Sequence, residues 1–133
     1  MDIEMDDSKF GIGVDIESID RFAGLKRTQD SAFLNKLFTR SELKYCYSKR
    51  MPAPHLAVRF AAKEAVIKAL YSLDRPGSSY LDVEISNNED GVPEVKLIKP
   101  GFSDLRIKLS LSHCADKAIA FAVVLNTERT SSD

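Results

Sequence analysis

Hydrophobic and polar positions alternate with two different periods along this chain, and the changes of period predict an opening strand, a helical middle and a strand-rich end. Phe10 to Ile16 reads FGIGVDI, a short apolar run with β-branched residues that predicts a buried strand with Asp15 near its end. Ser18–Leu25 and Ser31–Leu37 read as short helices, the second burying Phe33, Leu34 and Leu37. Thr39-Arg-Ser-Glu42 is a capping-box pattern and starts a helix that runs to about Tyr47, with Pro52 and Pro54 ending it. His55 to Tyr71 contains neither glycine nor proline and predicts a long central helix. At helical spacing Leu56, Phe60, Ile67 and Tyr71 fall within an arc of about 60°, the predicted core face. Further on, Tyr80–Ser86 alternates as a half-buried strand, Asn88 to Gly91 turns the chain back, and Val95–Ile98 completes a hairpin. Pro100-Gly101 breaks the chain, and Ile107–Ser112 and Lys117–Asn126 read as two more strands. This order predicts one α+β domain over residues 1–133, an antiparallel sheet packed against a long central helix, with 1–8 and 127–133 as loose ends.

Composition narrows the function classes. With 133 residues, 44% hydrophobic and 29% charged, the chain is long enough for one real core. No uncharged run approaches the ~20 apolar residues that span a bilayer, and the acidic start MDIEMDD lacks the features of a signal peptide. Cys46 and Cys114 have no metal or redox spacing and suit a reducing compartment, so the expected location is cytoplasmic, without membrane attachment. A net charge of −1 argues against nucleic-acid binding, yet it is a cancellation. Residues 36–68 hold eight basic and two acidic side chains, locally 8 − 2 = +6. Two readings stay open for that segment: a solvated helical face, or a site for a phosphorylated or acidic partner.

The long helix breaks a local rule. Lys63 and Glu64 flank its predicted core arc, while the opposite side carries Val58, Ala61, Ala65 and Ala69, so the helix is apolar nearly all round. Charges on a buried helix cost several kcal/mol (roughly) unless they are paired or meet a ligand. A Glu64–Lys68 pair with snorkelling Arg59 and Lys63 is one account. The other brings in Asp15, a second carboxylate in an apolar setting. Two such carboxylates suit Mg²⁺, which takes one or two carboxylates and completes its octahedron with water and phosphate oxygens; Arg59, Lys63 and Lys68 would then face those phosphates. Neither His113 at a strand end nor Gly91-Val-Pro93 in a turn indicates a function on spacing alone.

Taken together, GIGVDI at 11–16, FTRSEL at 38–43, LAVRFAAKEAVIKAL at 56–70, DGVP at 90–93 and LSLSHC at 109–114 resemble the holo-acyl-carrier-protein synthase group of 4′-phosphopantetheinyl transferases. The most specific element is the FxxKExxxKA pattern of Phe60, Lys63, Glu64, Lys68 and Ala69, preceded by the GxD element ending in Asp15. The resemblance implies Mg²⁺-dependent transfer of the phosphopantetheine arm of coenzyme A to a serine of an apo acyl carrier protein, releasing adenosine 3′,5′-bisphosphate. It implies Asp15 and Glu64 as metal ligands and, with Lys68 by the pyrophosphate, as the catalytic set. Lys63, Ser112 and His113 match positions near the nucleotide phosphates, and Gly91 to Pro93 matches a loop beside the adenine; Arg59 joins this coenzyme-binding set. Arg21, Lys36 and Arg40 lie in the segments that family members use to dock the acidic carrier. Family enzymes of this length are homotrimers with sites shared between neighbouring subunits.

Two departures stand out. The family's Gly-Thr-Gly segment after the long helix is replaced by Tyr71-Ser-Leu-Asp-Arg-Pro-Gly77, and Cys114 stands in place of the commoner Thr or Glu. The altered loop keeps a second hypothesis open, a non-enzymatic module of the same fold that binds coenzyme A or a nucleotide. A third is a Mg²⁺-dependent phosphohydrolase using the same carboxylates and cations.

Overall fold

A 21-residue helix, α3 (Pro52–Ser72), is the axis on which the other elements pack in this computed structural model, which describes residues 9–127. The helix begins three residues earlier than its glycine- and proline-free stretch. Pro52 and Pro54 sit in its first turn, where a missing N–H costs no hydrogen bond, so they open α3 instead of ending its predecessor. Its end is a Schellman cap: Arg75 N–H donates to the Leu70 carbonyl at 2.7 Å and Asp74 N–H to that of Tyr71 at 2.9 Å. Asp74 takes the left-handed position (φ 61°) that usually falls to glycine.

Strand β1 (Phe10–Ser18) pairs antiparallel with β5 (Lys117–Asn126), and β5 with β4 (Leu105–His113), in a three-stranded sheet ordered β1-β5-β4. Strands β2 (Val83–Asn87) and β3 (Pro93–Leu97) form a separate two-stranded sheet, so the antiparallel layer around the helix is divided. The short helices α1 (Ser31–Leu37) and α2 (Arg40–Tyr47) stand where the pattern places them and the Thr39/Glu42 capping box is formed, but α1 buries only Leu34 and Leu37 and leaves Phe33, expected in the core, exposed. The helix expected over Ser18–Leu25 is a single 3-10 turn, Ile19–Phe22. Tyr80–Asp82 is likewise a 3-10 turn: the Asp82 carboxylate folds back onto the Ser79 N–H (2.8 Å) and hydroxyl (3.1 Å), local bonds that compete with an extended ladder. Thr127, expected in a loose end, donates both its N–H and its hydroxyl to the Asp104 carbonyl, while residues 1–8 and 128–133 lie outside the described residues.

The predicted core arc of α3 is corrected by the packing. Leu56 and Phe60 are buried, but Ile67 is only partly so and Tyr71 is 62% exposed. The face that packs on the sheet is instead the small-residue side, with Ala61, Ala65 and Ala69 at 0% exposure. Gly11 and Gly13 of β1 explain why. A Cβ at either position would overlap a carbonyl oxygen of α3, that of Ala69 for Gly11 and that of Ala65 for Gly13. Backbone meets backbone there, which only glycine opposite alanine permits.

Candidate active site

The close crossing of β1 and α3 sets the site. Gly11 lies against Ala69 and Gly13 against Ala65, so strand and helix run in opposite directions. Two strand residues advance ~6.6 Å and four helical residues ~6 Å, which brings Asp15 level with the turn that contains Glu64. Asp15 and Glu17 project from β1 on the face that meets the helix. Lys68 Nζ donates to Asp15 Oδ1 at 3.2 Å and to the Val14 carbonyl at 3.1 Å. Asp15 Oδ2 is buried with no hydrogen-bond partner among the described residues. Burial and the adjacent Asp15 carboxylate push Glu17 up to about 6, against the pull of Arg21, which donates to Glu17 Oε1 at 2.8 Å. A hydrogen bond between these two carboxyls needs a proton on one of them; with both ionised, Asp15 Oδ2 is a buried acceptor without a donor.

Glu64 is held from the other side. Tyr80 Oη donates to Glu64 Oε1 at 2.5 Å, and that bond, with burial, pushes the phenol up to about 12. The ring of Tyr80 packs on Phe60 with centroids 5.1 Å apart. A partnerless buried carboxylate oxygen on Asp15 and a half-buried carboxylate on Glu64 are hard oxygen donors of the type that Mg²⁺ takes from protein. The residues fit that ion.

Lys63 does not stand where the resemblance implies. Its side chain is 0% exposed, and its ammonium reaches Glu42 Oε1 at 2.7 Å, the Tyr80 carbonyl at 2.8 Å and the Val83 carbonyl at 2.5 Å. Burial lowers its pKa while Glu42 opposes the shift. All three ammonium protons are used within the protein, so no face remains for a nucleotide phosphate. Glu42 appears in the sequence only as a capping residue. In the fold it also accepts from Ile85 N–H at 2.8 Å, joining α2, α3 and β2 through one buried charge.

A cleft of about 830 Å³ opens at the N-terminal end of α3. Arg59, His55, Gly91, Pro93 and His113 line it, together with Tyr45. Arg59 lies over the Tyr45 ring at 4.0 Å, donates to Asn87 Oδ1 at 2.9 Å and keeps a buried Nε–H without a partner among the described residues. Lys49 Nζ sits 4.7 Å from the same ring. Burial and the surrounding Arg59, Lys49 and His113 lower the pKa of His55. The cleft therefore has cationic groups, an aromatic face and an unfilled donor. Ser112 is exposed on β4 and is not part of its wall, where Ser110 stands instead.

Arg21, Lys36 and Arg40 are all exposed. Arg21 lies beside the carboxylates through Glu17 and covers the Phe60 ring at 5.2 Å, so it joins the site to the outer surface. Arg40 lines a shallow depression with Arg27 and Asn35. Sequence reasoning missed Glu17, Glu42, Tyr45, Tyr80 and Ser110. Only the first two left a signal, an acid two residues beyond Asp15 and the third position of the capping box.

The altered segment after α3 is pinned in place. Arg75 reaches both oxygens of Asp104 (2.9 and 3.1 Å) and the Gly101 carbonyl, and Lys99 donates to the Gly77 carbonyl. The loop then delivers Tyr80 to Glu64.

Residues 11–123 match the model of the 4′-phosphopantetheinyl transferase superfamily. The chain is 46% identical over 114 residues to the holo-[acyl-carrier-protein] synthase of Thermodesulfovibrio yellowstonii, covering 86% of this chain and 96% of that protein. It is 47% identical over 116 residues to that of Protochlamydia amoebophila, covering 85% and 95%. Among solved structures, the Helicobacter pylori holo-[acyl-carrier-protein] synthase in complex with coenzyme A superposes with a TM-score of 0.70 at 34% identity, over 85% of this chain and 98% of that one.

Proposed function

This chain belongs to the 4′-phosphopantetheinyl transferase superfamily, in its holo-acyl-carrier-protein synthase group, and we propose that the site between β1 and α3 performs that group's reaction. The phosphopantetheine arm of coenzyme A passes to a serine hydroxyl of an apo acyl carrier protein. The serine Oγ–phosphorus bond forms, the bond to the adenosine 3′,5′-bisphosphate oxygen breaks, and the hydroxyl proton leaves to the carboxylate side of the site. The observation that carries this reading is the buried, partnerless Asp15 Oδ2 across the β1–α3 crossing from Glu64.

Asp15 and Glu64 would hold Mg²⁺ in this reading, and the ion would supply neutralisation of charge on the pyrophosphate. Lys68, exposed beyond its contact with Asp15, reaches the pyrophosphate and stabilises or protonates the leaving phosphate. The nucleotide lies in the cleft, with Gly91, Pro93 and His113 on its walls and Arg59 supplying charge. Lys63 positions, through the backbone of Tyr80, and does not touch the ligand. Arg21, Lys36 and Arg40 meet the acidic carrier, and Arg21 is the one adjoining the catalytic carboxylates.

Self-association to the homotrimer implied by the family is supported by an uncovered apolar sheet face. Ile12, Val14 and Ile16 of β1 and Ile119, Phe121 and Leu125 of β5 are all exposed there. No helix among the described residues is long and apolar enough to cross a membrane. Mass spectrometry of a mixture with coenzyme A, Mg²⁺ and an apo carrier protein tests the function. The carrier gains one phosphopantetheine, and Asp15→Ala and Glu64→Ala each abolish the gain. Unchanged masses would support a binding module, and coenzyme A cleaved without modification of the carrier a hydrolase.

A further inference from the structure

Glu64 has two carboxylate oxygens, and the structure treats them differently. Oε1 accepts the Tyr80 phenol at 2.5 Å, a short O–H···O⁻ bond. Tyr80 is itself fixed at three points. Its carbonyl accepts from Lys63, whose ammonium is clamped by Glu42; its ring packs on Phe60; and the 3-10 turn that it begins is closed by the Ser79–Asp82 box. Lys63 and Glu64 are consecutive on α3, so one residue grips the backbone of Tyr80 while the next accepts its side chain. The phenol therefore cannot follow Glu64 if the carboxylate turns.

We propose that Tyr80 confines Glu64 to one coordinating oxygen and so makes the metal site selective for a small octahedral cation over a larger one. The proposal rests on the assignment of Glu64 as a metal ligand above. A hydrogen bond to Oε1 draws density from that oxygen and puts a positively polarised hydrogen beside it, which opposes a cation seated across both oxygens. Ca²⁺ accepts bidentate carboxylates and six to eight ligands, whereas Mg²⁺ requires near-ideal octahedral geometry and takes single carboxylate oxygens. Hydrogen bonds to ligating groups typically change metal affinity by about 10–100-fold. Tyr80 is a positioning residue in this scheme, since it acts on the ion only through Glu64.

The test is Tyr80→Phe, which keeps the ring against Phe60 and removes only the hydroxyl. Metal binding is read directly, by isothermal titration of Mg²⁺ and of Ca²⁺ and by the thermal midpoint as a function of each ion, alongside transfer activity. The expected result is Mg²⁺ binding weakened by about tenfold or more with Ca²⁺ binding unchanged or tightened, so that the ratio of the two affinities moves toward Ca²⁺. The metal-free thermal midpoint and the KM for coenzyme A at saturating Mg²⁺ stay near those of the parent. Loss of both ions by the same factor, or of neither, overturns the proposal. A parent that binds neither ion overturns the metal assignment itself and this proposal with it, so the two failures differ.

Discussion

Gly13 lies so close to Ala65 that a side chain on the strand would overlap the carbonyl oxygen of the helix. This approach, repeated by Gly11 at Ala69, sets the distance between the element that bears Asp15 and the element that bears Glu64. Overpacking a core typically costs about 1–3 kcal/mol, and the upper end applies when the obstructing atom is backbone.

Gly13→Ala is accordingly expected to destabilise the fold by about 3 kcal/mol or more and to reduce transfer in whatever fraction stays folded. Gly24→Ala is the control. Its site is open, with only the positive φ of 81° opposing a side chain, and it should cost about 1 kcal/mol. Urea denaturation of the three proteins measures both, and equal losses at the two glycines would refute the close-approach argument.

The glycines also show how far the sequence could be read. FGIGVDI was legible as a strand and HLAVRFAAKEAVIKALY as a long helix, because hydrophobic periodicity and the absence of breakers are local properties. Asp15 and Glu64 were legible as a pair of acids in apolar settings. The partner of Lys63 was not, since a charge on a helix face reads the same whether it faces solvent or a carboxylate from a helix some twenty residues away. Glu42, visible only as a cap, becomes the buried counterion when α2 docks on α3. Tyr80 sat in a strand-like alternation that the Ser79–Asp82 box overrode. The burial of the alanine side of α3 followed from the two glycines opposite, a relation between segments some fifty residues apart.

Lys63 gives the second prediction. Lys63→Ala leaves the Glu42 carboxylate facing the carbonyls of Tyr80 and Val83 in the core, and removing one partner of a buried pair costs about 3–5 kcal/mol. Stability should fall by that order, while the ratio of affinities for coenzyme A and dephospho-coenzyme A stays as in the parent. A normal thermal midpoint with selective loss of coenzyme A affinity would return Lys63 to the cleft wall.

His55 makes the cleft pH-sensitive. Burial, Arg59, Lys49 and His113 hold its pKa below the ordinary 6.5, so as pH falls through that value the unfolded chain takes up a proton before the native one does. The group's contribution to stability is present above 6.5 and declines as pH drops toward the native pKa. A phosphate dianion in the cleft reverses the preference by favouring the imidazolium. Between pH 7.5 and 6.5 coenzyme A binding should therefore tighten and take up protons, seen by calorimetry in buffers of different ionisation enthalpy. The His55→Gln variant should lose most of that uptake, and a parent with no linked protons would contradict the placement of the phosphate.

The last prediction concerns the sheet face left exposed among the described residues. Along β1 and β5 the cross-strand pairs Phe10–Leu125, Ile12–Val123, Val14–Phe121 and Ile16–Ile119 are apolar throughout, and Ile12, Val14 and Ile16 are more than half exposed. On the same face of the sheet β4 presents Arg106, Lys108, Ser110 and Ser112, all exposed, so the patch has a polar border on that side. An apolar patch bounded in this way marks an interaction site, and a second copy of the chain is its expected occupant. Phe121→Arg places a charge in its middle at a position exposed in the single chain, so the subunit fold is retained while burial in an assembly carries a desolvation cost. Sedimentation equilibrium should give the parent about three times its 14.8 kDa and the variant a single subunit mass at the same concentration. Because assembly stabilises folding by mass action, the thermal midpoint of the parent should rise with protein concentration and that of the variant should not. If sites are shared across this face, the variant loses transfer activity while its spectrum stays native. A parent that sediments as a single subunit, or a Phe121→Arg variant that keeps the parent's mass, would remove this face from the assembly.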